Sequence, residues 1–390
     1  MTNQCKGMKP LLLKLLILTI SIFINQNLNA QNLSVTTGAS TSGLGLQQFL
    51  LPATNDFEQD VTVEIRGRQV RFLNSDLQFS NIHDISRSES GQYVALLTTN
   101  ESTYEVIVVE NGVTKLASYD SKVEIRSDDP SVQIYALNNG GVVIRNNILF
   151  YDFFSPTGEI EASVSALRGT NIRTGLSQLA MSENQSGFFF YIPEIFYGSN
   201  RGSVILRFAG DENHIRVFES SDQTISSLDV LDNGSRLLVH LISNQGNHSA
   251  VMLDANGTVI NSIDLDFEPL KLSLTRDGNF LVAQASARVV VMNASNGNRV
   301  GATSIRSGSI ILSDYLPQSD TILILSGDQD NSRIRNAQIT TVNIGERSIN
   351  RAEVPVVLGY HPRLPLTFDS LRAGLYVMRG AHQNLVIRLD

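Results

Sequence analysis

The chain has 390 residues, 42% of them apolar and 17% charged, with a formal net charge of -8. That supplies enough apolar material for a large core and too little compositional bias for a disordered or fibrous polymer. A surface this acidic, without a run of basic residues, repels phosphate backbones and excludes nucleic acid as an expected partner.

Residues 1–30 differ from the rest. Lys6, Lys9 and Lys14 lead into an apolar run from Leu15 to Ile24, followed by a polar stretch ending at Ala30. The run is too short for a bilayer, which takes roughly 20 residues, but suits the apolar region of a secretory signal. Cleavage after Ala30 is expected, giving an exported protein, periplasmic or extracellular, with no transmembrane segment. Leu28, three residues from the cut, is larger than such sites prefer, and an uncleaved anchor is the alternative. Cys5, the only cysteine, lies in this segment. The mature chain would then have no disulfide, thiolate metal site or cysteine nucleophile. Its lysines would be Lys115, Lys122 and Lys271 alone.

Residues 31–44, rich in Ser, Thr and Gly, read as a flexible leader. The segment 45–390 reads as one all-β domain. "DVTVEIRGRQVRFLN" (60–74) is β-rich, with a break at Arg66 and Gly67. After it, one unit recurs, a tight turn followed by an alternating strand: "SESGQYVALLT" (88–98), "LNNGGVVIRN" (137–146), "SENQSGFFFYI" (182–192), "LDNGSRLLVHL" (231–241), "TRDGNFLVAQ" (275–284), "LPQSDTILILS" (316–326) and "SLRAGLYVMR" (370–379). Anchored at Gly91, Gly140, Gly187, Gly234, Gly278, Asp320 and Gly374, the units are separated by 49, 47, 47, 44, 42 and 54 residues. A period in the forties built from strands and turns is a propeller signature. A second turn about twenty residues on, as in "VVENGVTKL" or "LDANGTVI", completes four antiparallel strands per blade. The last unit stops at Asp390 without an outer strand. The expectation is therefore a seven-bladed β-propeller of four-stranded antiparallel blades, in which an N-terminal strand from 60–74 completes the last blade and removes its open edge.

The turns "SESGQY" and "TRDGNF" resemble the Ser-Pro-Asp-Gly-Lys-Tyr turns of WD40-like and YVTN-type bacterial propeller repeats, over about residues 60–390. The resemblance is one of repeats and implies a propeller fold. The chain has no tryptophan, so it departs from the Trp-Asp dipeptide of true WD40 repeats, from sialidase Asp-boxes and from quinoprotein repeats.

Inner strands of such a ring line a central channel. His83 and Asp84 in "NIHDIS", Asp229 in "LDVL", Asp314 in "LSDYL" and His361 in "LGYHPRLP" are the channel candidates. The competing reading is that channel side chains are polar because the channel is wet. His214, His240, His248 and His382 read as surface, strand or turn residues. Asp328 and Asp330 form only part of a calcium-loop pattern and read as a solvated hairpin. Phe196 and Tyr197 fall in a predicted loop and are candidate binding aromatics, with packing against their own blade as the alternative. No His-Glu-x-x-His or Gly-x-Ser-x-Gly motif occurs. The sequence assigns no catalytic residue, metal or cofactor. The reading is an exported, non-catalytic binding platform with a protein or glycan ligand at one face of the ring. The alternative is a channel-centred, metal-dependent hydrolase or lactonase using His83, Asp84 and His361.

Overall fold

The computed structural model describes residues 33–38, 45–51, 61–125, 131–166, 173–182, 184–210, 213–275, 277–305, 308–330, 332–363, 366–372 and 374–389. The expected signal segment lies outside the described residues. Among them, no helix is long and apolar enough to cross a membrane.

The architecture is all-β. Seven sheets have four antiparallel strands each, and an eighth has a short fifth strand. Sheet one comprises Gln48–Leu51, Val61–Arg66, Gln69–Phe72 and Gln78–Phe79. Sheets two to seven follow in chain order, with first strands Ile82–Arg87, Gln133–Ala136, Gln178–Met181, Gln223–Leu231, Lys271–Leu274 and Ser309–Leu316. In sheet seven the strap strand Leu358–Gly359 adds itself beside Arg333 and Ile334. Sheet eight comprises Thr367–Arg372, Leu375–Arg379 and Leu385–Leu389, with Leu33–Thr37 as its fourth strand.

An N-terminal strand does complete the last sheet, but from a different segment than the sequence suggests. Leu33–Thr37, expected in a flexible leader, pairs antiparallel with Leu385–Leu389. Leu33 and Val35 face the core between sheets seven and eight, while Ser34 and Thr36 are exposed. The segment 60–74 instead supplies two strands of sheet one, joined at the Arg66 to Gln69 turn. Sheet one accounts for the difference between seven repeats and eight sheets.

Seven hydrophobic clusters join consecutive sheets from one to eight. Within the second strand of sheet two, Val94 and Leu96 face sheet one, whereas Ala95 and Leu97 face sheet three. Successive residues of a strand point to opposite faces. A middle strand covered on both sides must therefore be apolar throughout, which explains "VALL", "LLV" and "ILIL". Each large aliphatic side chain buried in this way contributes about 1.5–3 kcal/mol.

The repeated turns sit at the ends of the first strands, where neighbouring sheets touch. Ser90 N donates to Asn138 Oδ1 at 2.8 Å, and Ser186 Oγ donates to the Asn233 carbonyl at 2.7 Å. At six of the seven anchors the chain adopts positive φ, from Gly234 at 92° to Asp320 at 47°. The exception is Gly187, whose turn places Gln185 in that conformation at 58°. Close approach explains the glycine there: a Cβ on Gly187 would lie 2.9 Å from the Gly234 Cα of the next sheet. Gly187→Ala is expected to lower the stability of the folded chain by about 1–3 kcal/mol through this backbone clash. Urea unfolding would report it as a lower midpoint with an unchanged slope; an unchanged midpoint would mean that the two turns can part freely.

Candidate binding site in the central channel

The first strands converge on a common space because their outward pairing is already used by the second strands. Side chains directed inward meet one another across that space. Asp84 Oδ2 accepts the Ile134 backbone N–H at 3.0 Å, and Ser86 Oγ accepts that of Ala136 at 3.0 Å, so sheet two caps the inner edge of sheet three.

His83, Asp84 and His361 do not converge as a metal or catalytic shell. A bulge between Ile82 and Asp84 turns His83 toward sheet three. Its Nε2 lies 3.1 Å from the Val132 carbonyl, which can only accept, and its ring lies 4.8 Å from Tyr104. Asp84 is held by Arg363, whose Nη2 donates to Oδ2 at 2.8 Å and to the Ile134 carbonyl at 3.0 Å. The Arg363 guanidinium also lies 5.7 Å from the Tyr135 ring centre. His361 Nδ1 accepts the Arg363 backbone N–H at 3.3 Å, and its ring stands edge-on to Phe49 at 6.0 Å. Burial holds His361 below the usual histidine range, with Asp84 opposing and Arg363 reinforcing that shift. Among the described residues, no three His, Cys, Asp or Glu side chains lie together as a metal-sized group.

Arg363 is the organising residue that sequence reasoning missed. It ends the strap that begins with Leu358. His382, read as a turn residue, is buried and fixes that strap: its Nδ1 accepts the Gly359 N–H at 2.8 Å, and its own N–H donates to the Gly359 carbonyl at 2.8 Å. Arg145 was also missed. It is fully buried and donates to the Ser131 and Ser177 carbonyls, each at 2.6 Å, tying sheet three to sheet four. His240 is buried too, with its Nε2 3.1 Å from His248 Nδ1; burial first, then the charge of His248, push it down to about 4.

Asp229 and Asp314 occupy the first strands of sheets five and seven, with Lys271 on the sheet between them. Asp229 is exposed to channel solvent, yet the surrounding sheets desolvate it and raise it above the usual carboxylate range, an effect Lys271 moderates. Desolvation pushes Asp314 up to about 6, against the Tyr315 N–H and Lys271; Asp369 adds a smaller upward push. Asp369 itself pairs with Arg379 Nε at 3.0 Å.

A cavity of about 470 Å³ opens between these strands. Tyr135, Ala180, Tyr191, Asp229 and Ser273 line it, from sheets three to six. Glu89, Met181 and Leu231, at or beside the repeated turns, place it at the anchor-turn end of the channel. A cavity of this size is in the range that holds small ligands or single inserted side chains.

Phe196 and Tyr197 are not among its lining residues. They end the strand Phe188–Tyr197 rather than forming a loop. Arg173 covers the Phe196 ring at 5.2 Å, and the Tyr197 hydroxyl donates to Glu219 Oε1 at 3.4 Å. Asp328 sits in another extended hairpin, where Asn336 donates to it at 2.7 Å.

The fold and channel define a β-propeller similar to WD40-like propellers. The chain resembles the Dos1 propeller with a TM-score of 0.54 and 11% identity, over 93% of each chain. It also resembles the C-terminal WD40 domain of Sif2, with a TM-score of 0.51 and 10% identity over 88% of this chain and 95% of that one. No protein-family model and no curated protein sequence matches the chain.

The raised Asp314 has a consequence for stability. Its ordinary value is near 3.9, so the folded chain binds this proton more tightly than the unfolded chain. The carboxylate therefore destabilises the fold above about pH 6, and the penalty fades as pH falls from 6 toward 4. Asp314→Asn is expected to stabilise the protein at pH 7.5 by about 1–3 kcal/mol, with the gain gone near pH 4. Urea midpoints of both proteins across that range test this; a gain independent of pH would assign the effect to packing instead.

Proposed function

We propose that this chain is exported and acts as a non-catalytic binding platform, taking a protein ligand at the anchor-turn end of its channel. The observation that carries the reading is the cavity between sheets three and six, whose walls are inner strands rather than mobile loops. A site on such strands is held in one geometry by the sheets behind it, so binding costs little ordering of the protein. The anchor turns, hydrogen-bonded from sheet to sheet, surround the entrance with a fixed polar rim. A polar rim about a recessed apolar and aromatic floor is the usual anatomy of a protein-binding patch. The hydrolase reading has no support: among the described residues no metal-sized group of His, Cys, Asp or Glu forms, and Asp84 is paired with Arg363.

Export rests on the sequence of residues 1–30. Mass spectrometry of the protein recovered from the export compartment is expected to find Gln31 as the first residue; a retained Met1 would place the chain on an anchor or inside the cell.

The cavity is tested by filling it. Ala180 lines the cavity, and Ala180→Trp would occupy it. Peptides selected from a displayed library on the unaltered protein are expected to bind this variant at least about tenfold more weakly, a loss of about 1.4 kcal/mol. An unchanged circular-dichroism spectrum and thermal midpoint would establish that the variant folds. Selected peptides indifferent to the tryptophan would move the binding surface away from the channel.

A further inference from the structure

We infer that the channel cavity takes a cationic group carried on an apolar stem, the chemistry shared by lysine and arginine side chains and by free alkylamines. This deepens the binding-platform reading and rests on it. The argument begins with Asp229. Its carboxylate lines the cavity, and no described residue pairs with it as an ion pair or side-chain hydrogen bond. Lys271, the nearest cation in its electrostatic surroundings, acts on it only through space. A carboxylate that faces the cavity without a side-chain partner is open to a charge-assisted hydrogen bond from an arriving cation.

The remaining walls suit the same guest. Tyr191 brings an aromatic ring to the cavity, and an ammonium or guanidinium over such a ring is attracted by its negative face. Tyr135 gives its own hydroxyl proton to Gln133 Oε1 at 3.0 Å, so its oxygen can accept a hydrogen from the guest. Leu179, Ala180, Leu228 and Leu274 offer apolar surface for the methylene stem behind the charged head. Beyond Asp229, the carboxyl of Asp314 lies on the same side of the channel, and both feel the field of Lys271. An anion entering here would face Asp229 at close range. A purely apolar group would bury Asp229 further without pairing it. A cation with an apolar stem satisfies both parts of the wall.

The test uses the full exported chain and defined probes. Blocked pentapeptides with a central arginine, lysine or norleucine between glycines, together with n-butylamine, are titrated at pH 7.5 by calorimetry. The arginine and lysine peptides are expected to bind at least about tenfold more tightly than the norleucine peptide, because only they supply a charge-assisted hydrogen bond to Asp229. Asp229→Asn is expected to remove that preference while leaving the thermal midpoint unchanged or raised, since the native carboxylate holds no structural partner and its raised proton affinity opposes folding at this pH. Ala180→Trp is expected to abolish binding of every probe. Butylamine binding as tightly as the peptides would support the cationic site and assign it to free amines; weaker butylamine binding would support it and assign it to peptide side chains. Equal binding of the norleucine peptide, or an unchanged preference in Asp229→Asn, would overturn the cationic inference while leaving the platform standing. Probe binding that ignores Ala180→Trp would overturn the platform reading itself.

Discussion

Two-sided burial of the middle strands is the constraint from which the rest of this structure follows. A strand with a neighbouring sheet on each face has no side for water, and its residues alternate between two cores rather than between core and solvent. Leu96 and Leu97 belong to different clusters for this reason, as do Val290 and Val291. Each sheet is stable only with both neighbours present, so the packing energy belongs to pairs of sheets. The end sheets of a linear stack would lack one neighbour and show an open edge. Pairing Leu33–Thr37 with the C-terminal strand covers such an edge using the chain's own beginning.

As the outer strands do on the rim, the first strands keep a solvent-facing row, theirs toward the channel. Side chains there are not needed for the cores, and they are polar or small: Ser86, Ala180, Ser273 and the aspartates. Their chemistry is divided around the channel. On one side Asp84 caps the backbone of sheet three and is neutralised by Arg363, which enters from the strap pinned by His382. On the other side Asp314 and Asp229 are desolvated without comparable pairing.

Much of this was legible in the sequence. The seven turn-and-strand units marked sheets two to eight, because each needs a tight turn where neighbouring sheets touch. Sheet one was hidden for a physical reason: it lacks that turn signature, and its outer strand is only Gln78–Phe79. The strand Leu33–Thr37 was readable from the alternation of Leu33 and Val35 with Ser34 and Thr36, but its Ser/Thr-rich setting matched a leader by composition. Asp84, Asp229 and Asp314 fall on first strands, Ile82–Arg87, Gln223–Leu231 and Ser309–Leu316. The pairing of Asp84 with Arg363 was not legible, because the two are 279 residues apart and meet only when the last sheets come round to the first. Histidine and aspartate drew attention as chemical groups, whereas the arginine that occupies one of them carried no motif.

The division of charge in the channel bears directly on what it can hold. A ring of polar residues is by itself uninformative, because any wet channel has one. Here, however, Arg363 is spent on Asp84, where the Ile134 carbonyl and the Tyr135 ring help to fix it, and Lys271 acts on Asp229 only through its field. Moving Arg363 across to Asp229 would break its contacts with Asp84, the Ile134 carbonyl and the Tyr135 ring, so Arg363 does not serve the second aspartate. Asp229 is thus left to solvent or to a guest, beside the aromatic and aliphatic side chains that line the cavity. The structural role of Arg363 and the binding role of Asp229 are two outcomes of one distribution of charge: the first closes its side of the channel, and in doing so confines an incoming cation to the other.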